Sequence, residues 1–285
     1  MAQPVKQVIN RIRSVENIRK ISSAMEMVSI AKLNRTEKFL YPARIHMKQA
    51  DSFFRNCAGS GNLSHSPLAH NQAKGAADTV LVITSDNGLC GAYNSNVIRF
   101  AEEFFSSKGR DRFNLIVIGK KGFSYFKKAG VHIIESYLDL NGRYREDLVR
   151  QIHRNIISAF LFNKAACVYA IYSHFENALT HKPCLEQILP VENKYELLTQ
   201  PIFEPDAAYV VRKFLPEYVF YRLRLIFLES FTCEHASRAF AMQLATDNAK
   251  ELLEGLVLLK NKMRQATITQ DIMEIISSAE ALKGH

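Results

Sequence analysis

The 285-residue chain contains no G-x-G-x-x-G and no G-x-x-x-x-G-K-[ST], so the usual signatures of a dinucleotide site and of a P-loop are both missing. It also lacks G-x-S-x-G, and without that nucleophile elbow Ser85, Asp86 and the nine histidines do not add up to a hydrolase triad. Cys57, Cys90, Cys167, Cys184 and Cys233 are odd in number, scattered and free of any C-x-x-C pair. That argues against a disulfide framework or a zinc site and fits a reducing compartment. No apolar run approaches the roughly 18 residues of a membrane helix, and the opening "MAQPVKQVIN" has no apolar signal core. The expectation is a soluble chain that stays on the side of the membrane where it was made. There is no internal repeat.

What the chain does hold is the composition of a folded protein, 47% hydrophobic and 23% charged. At about 150 residues per domain its length leaves room for two structural bodies. The net charge of +9 and pI near 9.3 point to acidic partners, whether nucleic acid, anionic lipid or an acidic protein surface.

Helix breakers are scarce at both ends. Pro4 sits where a first-turn proline is tolerated, and Val5 to Tyr41 holds neither proline nor glycine. Apolar residues recur at Val8, Ile12, Val15, Ile18, Ile21, Met25 and Val28, a seam with an extra step of three after Val15 that reads as a stammer. After Pro216 only Gly255 interrupts a helical pattern that runs to Lys283, roughly 100 Å at the α-helical rise. Within it Ala245, Ala249, Leu252, Leu256, Leu259, Met263 and Ala266 keep the 3.5-residue period of a coiled-coil seam. Two narrow stripes on one chain are best buried against each other as an antiparallel pair, because the intervening chain holds them at high effective concentration.

The middle reads as α/β. Runs rich in β-branched residues at 79–85, 113–119, 131–136 and 166–173 alternate with helical stretches near 95–107, 120–129 and 144–162, and "CLEQILP" adds a possible edge strand. The order implies an open, mostly parallel, Rossmann-like sheet inserted between the helices. The expected divisions are a first shaft helix 1–58, a Gly- and Ser-rich linker 59–77, the α/β domain 78–191, a connector 192–208 and a second shaft helix 209–285.

Four stretches invite a chemical reading. "SDNGLCGAYN" follows the first strand, but with only Gly88 and Gly91 it reads as an Asn-Gly turn into a helix start. Cys233, Glu234 and His235 are adjacent on a helix and point in different directions, which is wrong for a joint metal site. The basic residues Arg11, Arg13, Arg19, Lys20, Lys32, Arg35 and Lys38 are interleaved with Glu16, Glu26 and Glu37. They suit a solvated face or an acidic protein better than a nucleic acid. A last stretch, "NKMRQATITQDIMEI", sets Met263, Ala266, Ile268, Ile272 and Ile275 among amides and hydroxyls, a face that is neither core nor ordinary surface.

"IRKISSAMEMVSIAKLNR", "SDNGLCGAYNSN", "ESFTCEHASRAFAMQLATDNAKELLEGL" and "NKMRQATITQDIMEIISSAEAL" closely resemble blocks of the gamma subunits of F-type ATP synthases. "GKKG", "QILP" and "FEPD" fall between them in the family's order, so the likeness spans nearly the whole chain. The resemblance implies a non-catalytic central shaft turning inside a ring of alpha and beta subunits, its α/β domain holding the epsilon subunit and resting on the c-ring. No cofactor, metal or nucleic acid is implied, and membrane association is peripheral, at the cytoplasmic face of a bacterial inner membrane or its organelle equivalent.

It further implies that Met25, Glu26, Met27, Lys32 and Arg35 face the ring where the shaft leaves it. Arg264, Gln265, Thr269 and Gln270 would hydrogen-bond loops of the catalytic subunits, with Ile272 and Ile275 in an apolar bearing at the tip. Tyr41, Pro42, Phe203, Glu204 and Asp206 fall on the c-ring and epsilon side. Departures from the family pattern are Asn87 for arginine, Ala92 and Tyr93 for glycine and leucine, Ser29 and Ile30 for alanines, Ala178 for threonine and Phe203 for tyrosine. The paired regulatory cysteines of chloroplast members are absent. The rival readings are an α/β nucleotide-binding enzyme with helical arms and a basic coiled-coil scaffold for nucleic acid.

Overall fold

A computed structural model describes residues 3–59, 66–70, 76–109, 112–178, 180–192 and 206–283. Helix α1 (Gln3–Gly59) and helix α5 (Ala207–Lys283) enclose in sequence a sheet of β1 (Asp78–Ile83), β2 (Phe113–Ile118), β3 (Ile133–Tyr137), β4 (Val168–Phe175) and β5 (His181–Leu189). The crossover helices are α2 (Tyr93–Lys108), α3 (Lys120–Lys128) and α4 (Glu146–Leu161). The chain falls into two compact units, Met1–Val28 with Ala239–His285, and Ser29–Arg238.

In the Ser29–Arg238 unit the strand order is β3-β2-β1-β4-β5. The first four strands are parallel and β5 returns antiparallel to β4, the edge strand expected from "CLEQILP" but begun earlier, at His181. Strands β1 and β2 are buried along nearly their whole length, as parallel strands covered on both faces must be. Val80, Val82, Leu115, Val117 and Ile171 face α2 and α3 through Val97, Ala101, Phe105 and Phe126. Leu81, Ile83, Ile116, Ile118 and Ala170 face the other way, onto α4 and onto the terminal helices through Met47, Phe54, Val219 and Phe227. The terminal helices thus form one layer of the sheet's own core.

Their direction follows from paired contacts. Arg44 bonds Glu229, while Asp51, further along α1, accepts from Tyr218, earlier on α5, so the two run antiparallel. Phe54 stacks on Tyr218 at 4.7 Å, and Phe53 meets Phe214 edge-on at 4.6 Å. In the other unit Val8, Ile12 and Val15 pack with Ala249, Leu253 and Leu256.

The expected stammer in α1 is absent. The inward residues run Val5, Val8, Ile12, Val15, Arg19, Ser22, Glu26, Ser29, Leu33, Thr36, Leu40, Ala43, Met47, Ala50, Phe54 and Cys57, an unbroken alternation of threes and fours, all buried or half-buried. Following hydrophobicity alone leads off the seam after Val15, because serine and threonine carry it onward and leave Ile18, Ile21 and Val28 more than half exposed. Thr36 satisfies its hydroxyl on the Leu33 carbonyl at 2.9 Å.

The α5 stripe shows the same kind of shift. Ala249, Leu256 and Met263 lie on it, but Leu253, Lys260 and Thr267 take the places expected of Leu252, Leu259 and Ala266, and Leu252 and Leu259 are each 45% exposed. Lys260 can serve because its aliphatic stem covers apolar surface while the ammonium reaches water. Pro42 is tolerated inside α1 because it faces solvent, where the carbonyl deprived of its helical donor can bond water.

Candidate partner-binding surface

In a sheet of this order a ligand would enter at the carboxyl ends of β1 and β4, where the strand order reverses. Here the chain's own helix closes that edge. Every residue of α5 from Ile226 to Arg238 is buried. On the β4 side Glu229 bonds His174 at 2.5 Å and Arg44 at 2.8 Å, and Cys233 donates to the Ser173 carbonyl at 3.3 Å. Tyr93, one of the departures from the family pattern, bonds Ser230 at 2.7 Å. Arg238 donates to the carbonyls of Asn87 and Gly88 at 3.2 and 3.3 Å, and the Nε2 of His235 lies 3.0 Å from the Gly142 carbonyl.

The "SDNGLCG" loop is a clamp instead of a phosphate cradle. The Asp86 carboxylate accepts three backbone N–H groups, from Lys120 at 3.1 Å, Asp139 at 3.0 Å and Asn141 at 2.7 Å. A carboxylate in that position repels the anion that a Rossmann turn would hold. Asn87 ties its side chain to Asn141 at 2.8 Å. Gly119 has φ +91°, and a Cβ there would come 2.4 Å from the Thr84 carbonyl oxygen.

The polar groups enclosed with α5 carry shifted affinities for protons. Burial pushes Glu234 above the usual carboxylate range, opposed by Arg238, which bonds it at 2.8 Å, and by the charge of Lys32. Burial also drives His235 down to about 4, aided by the charges of Arg238 and Lys32 and opposed by the Gly142 carbonyl. His235 is therefore a neutral core histidine at physiological pH. Cys233, Glu234 and His235 make separate contacts, and among the described residues no group of three or more His, Cys, Asp or Glu is arranged for a metal.

Exposed apolar side chains occur in both units, and the unit made of Met1–Val28 and Ala239–His285 carries two runs of them along its helices. On its α1 stretch Ile18, Ile21, Met27 and Val28 are 54 to 66% exposed, and on α5 Ile268, Ile272, Met273, Ile275 and Ile276 are 49 to 67% exposed. Apolar side chains left to water in such runs make this stretch a candidate binding surface. Of the residues singled out from sequence, Arg264, Gln265, Thr269, Gln270, Ile272 and Ile275 are all exposed on this stretch of α5. Thr269 bonds the Gln265 carbonyl and Gln270 bonds Glu274, both at 3.0 Å within the helix, so these polar groups are held but still solvated.

Met25 and Glu26 are half-buried beside exposed Met27. In the other unit Arg35, Tyr41, Pro42 and Asp206 are exposed, whereas Lys32 is half-buried and acts on Glu234 and His235. Phe203 and Glu204 lie outside the described residues. Sequence reasoning missed Ile18, Ile21 and Val28 as surface; the signal was Ser22 and Ser29 standing seven apart on the period of the buried stripe. It also missed the network of Asp86, Glu234 and Arg238, signalled by the ionisable residues inside the otherwise small and apolar run "ESFTCEHASRAFA".

The fold defines an antiparallel helix pair carrying an α/β domain whose sheet crevice is closed by the chain's own helix. The family model described as ATP synthase matches residues 4–282. A Geotalea uraniireducens protein named ATP synthase gamma chain is 33% identical over 98% of this chain and 99% of its own length. One of the same name from Desulforamulus reducens is 37% identical over 96% of this chain and 97% of its own. In fold the chain is similar to one in the Euglena gracilis mitochondrial ATP synthase assembly of OSCP, F1 and c-ring, with TM-score 0.72, 16% identity, and coverage of 98% of this chain and 94% of that one. The chain belongs to the ATP synthase gamma-chain family.

Proposed function

We propose that the chain is the rotating central stalk of an F-type ATP synthase, coupling proton translocation through the membrane sector to ATP synthesis or hydrolysis in a ring of alpha and beta subunits, without itself catalysing a step. The observation that carries this reading is the unpartnered apolar and amide-rich face of Met1–Val28 and Ala239–His285 on a chain of this family. An asymmetric helix pair inside a pseudo-threefold ring presents a different side to each catalytic site and so biases each toward a different conformation. Turning by a third permutes those biases, which is a linkage between distinct sites.

Arg264, Gln265, Thr269 and Gln270 suit a moving contact because exposed amides and hydroxyls can exchange one partner for water and then for the next. Ile272 and Ile275 supply an apolar bearing, and Met25, Glu26, Met27, Lys32 and Arg35 meet the ring lower down. Tyr41, Pro42, Phe203, Glu204 and Asp206 are assigned to the epsilon and c-ring side. Functionally the chain divides into shaft 1–58, linker 59–77, α/β domain 78–191, connector 192–208 and shaft 209–285. No helix among the described residues is long and apolar enough to cross a membrane, which suits peripheral attachment, here assigned to the cytoplasmic face of a bacterial inner membrane.

Reconstitution with alpha and beta subunits tests the reading. Removing residues 261–285 is expected to abolish stable assembly or coupling, and full retention of both would overturn it. Lys32→Glu combined with Arg35→Glu is expected to impair ATP-driven pumping; unchanged pumping would remove these two from the interface.

A further inference from the structure

Helix α3, "KKGFSYFKK", carries four lysines and no acid. Lys120 pairs with Asp139 at 2.5 Å, and Lys127 sits 5.6 Å over the Phe123 ring. Lys127 and Lys128 in the last turn complement the helix dipole, but Lys121 lies in the first turn, where a cation is disfavoured. Lys121 and Lys128 open onto a groove of about 720 Å³ between α2 and α3. Arg99 of α2 joins them, and among the described residues none of the three lies within ion-pair distance of a carboxylate; Arg99 makes only a 3.4 Å bond to Asn96 within its own helix. Glu102 contributes the groove's one acid. Ile98 and the 42% exposed Tyr125 give it an apolar floor.

We infer that this α2–α3 groove docks an acidic amphipathic helix of a partner protein. Lys121 and Lys128 stand two helical turns apart, about 10 Å. That is too wide for one phosphate to bridge, but it matches carboxylates two turns apart on an incoming helix, whose intervening apolar residues would settle on Ile98 and Tyr125. A flat lipid surface would meet protruding lysines but would leave that floor unused. The inference does not depend on the rotor reading, because it concerns only the surface of the Ser29–Arg238 unit.

The test uses the full chain and a synthetic helical peptide with glutamates two turns apart flanking a pair of leucines. Its affinity would be followed by fluorescence anisotropy, and its footprint by hydrogen exchange. The peptide is expected to bind with affinity that falls as salt rises, to protect α2 and α3, and to bind about tenfold or more weakly to a Lys121→Glu, Lys128→Glu chain. Lys121→Gln with Lys128→Gln, which removes charge without reversing it, should show an intermediate loss and guards against misfolding of the reversed variant. Equal binding by all three chains, no binding by any, or protection outside α2 and α3 would overturn the inference. So would displacement of the peptide by inorganic phosphate at matched ionic strength, or by phosphatidylglycerol vesicles but not phosphatidylcholine vesicles, with the ligand class reassigned accordingly.

Discussion

Helix α1 carries one seam through two settings, and its inward residues differ between them. In the Ser29–Arg238 unit the seam is made of fully enclosed groups such as Leu40, Phe54 and Cys57, packed into a core shared with the sheet. In the Met1–Val28 and Ala239–His285 unit it is thin: Val8 and Ile12 are only half-buried, and the charged Arg19 and Glu26 stand half-buried in the stripe. The first arrangement makes its stability internally. The second pairs two helices along a narrow stripe and leaves Ile18, Ile21 and Val28 largely exposed.

The comparison is most strongly tested at Gly119. Alanine there must adopt φ near +91° and meet the Thr84 carbonyl, so Gly119→Ala is expected to destabilise the chain by about 4 kcal/mol in urea unfolding. A loss below about 1 kcal/mol would mean that the sheet's switch point is far looser than its geometry implies.

Next comes pH. His235 binds a proton less readily folded than unfolded, so its contribution is complete above the free imidazole value near 6.5 and is lost as pH falls from there toward about 4. Glu234, whose affinity for a proton is raised by burial, works in the opposite sense on the acid side, so the informative quantity is a difference. Relative to His235→Gln, the chain should lose about 3 kcal/mol across that window. Parallel pH profiles would refute the burial argument.

In the thinner unit Leu256→Ala is expected to cost about 2 kcal/mol, the low end for a buried leucine, because its neighbours Leu253 and Ile12 are themselves half-exposed. Smallest of all, Ile18→Ser with Ile21→Ser should change the stability of the isolated chain by less than about 0.5 kcal/mol while weakening assembly with alpha and beta subunits. A large loss of intrinsic stability would return those isoleucines to the seam and erase the contrast.

The sheet was legible because its central strands β1, β2 and β4 are buried on both faces and so are written as continuous apolar runs, with the helices between them marked by period. The antiparallel helices were legible for the same reason. Their contact lines were not, since hydrophobicity reports what a side chain avoids and not which face it lies on. Ser22, Ser29 and Thr36 are small enough to sit between helices, and Ile18 and Leu252 are apolar without being inside. The exposed polar stretch from Arg264 to Gln270 was visible because amides crowd beside β-branched residues there. The Asp86 clamp was not, because its partners are backbone groups 34 to 55 residues away.

From Ile226 to Arg238, α5 is gripped on every side: by Arg44 and His174 at Glu229, by Tyr93 at Ser230, by Gly142 at His235 and by the Asn87–Gly88 carbonyls at Arg238. A helix held along a single stripe can roll; one held around its circumference cannot. Twisting this segment about its own axis would break bonds to several separate loops at once, so the segment is keyed to its sheet as a spline is keyed to a hub, and applied torsion reaches the domain without slip.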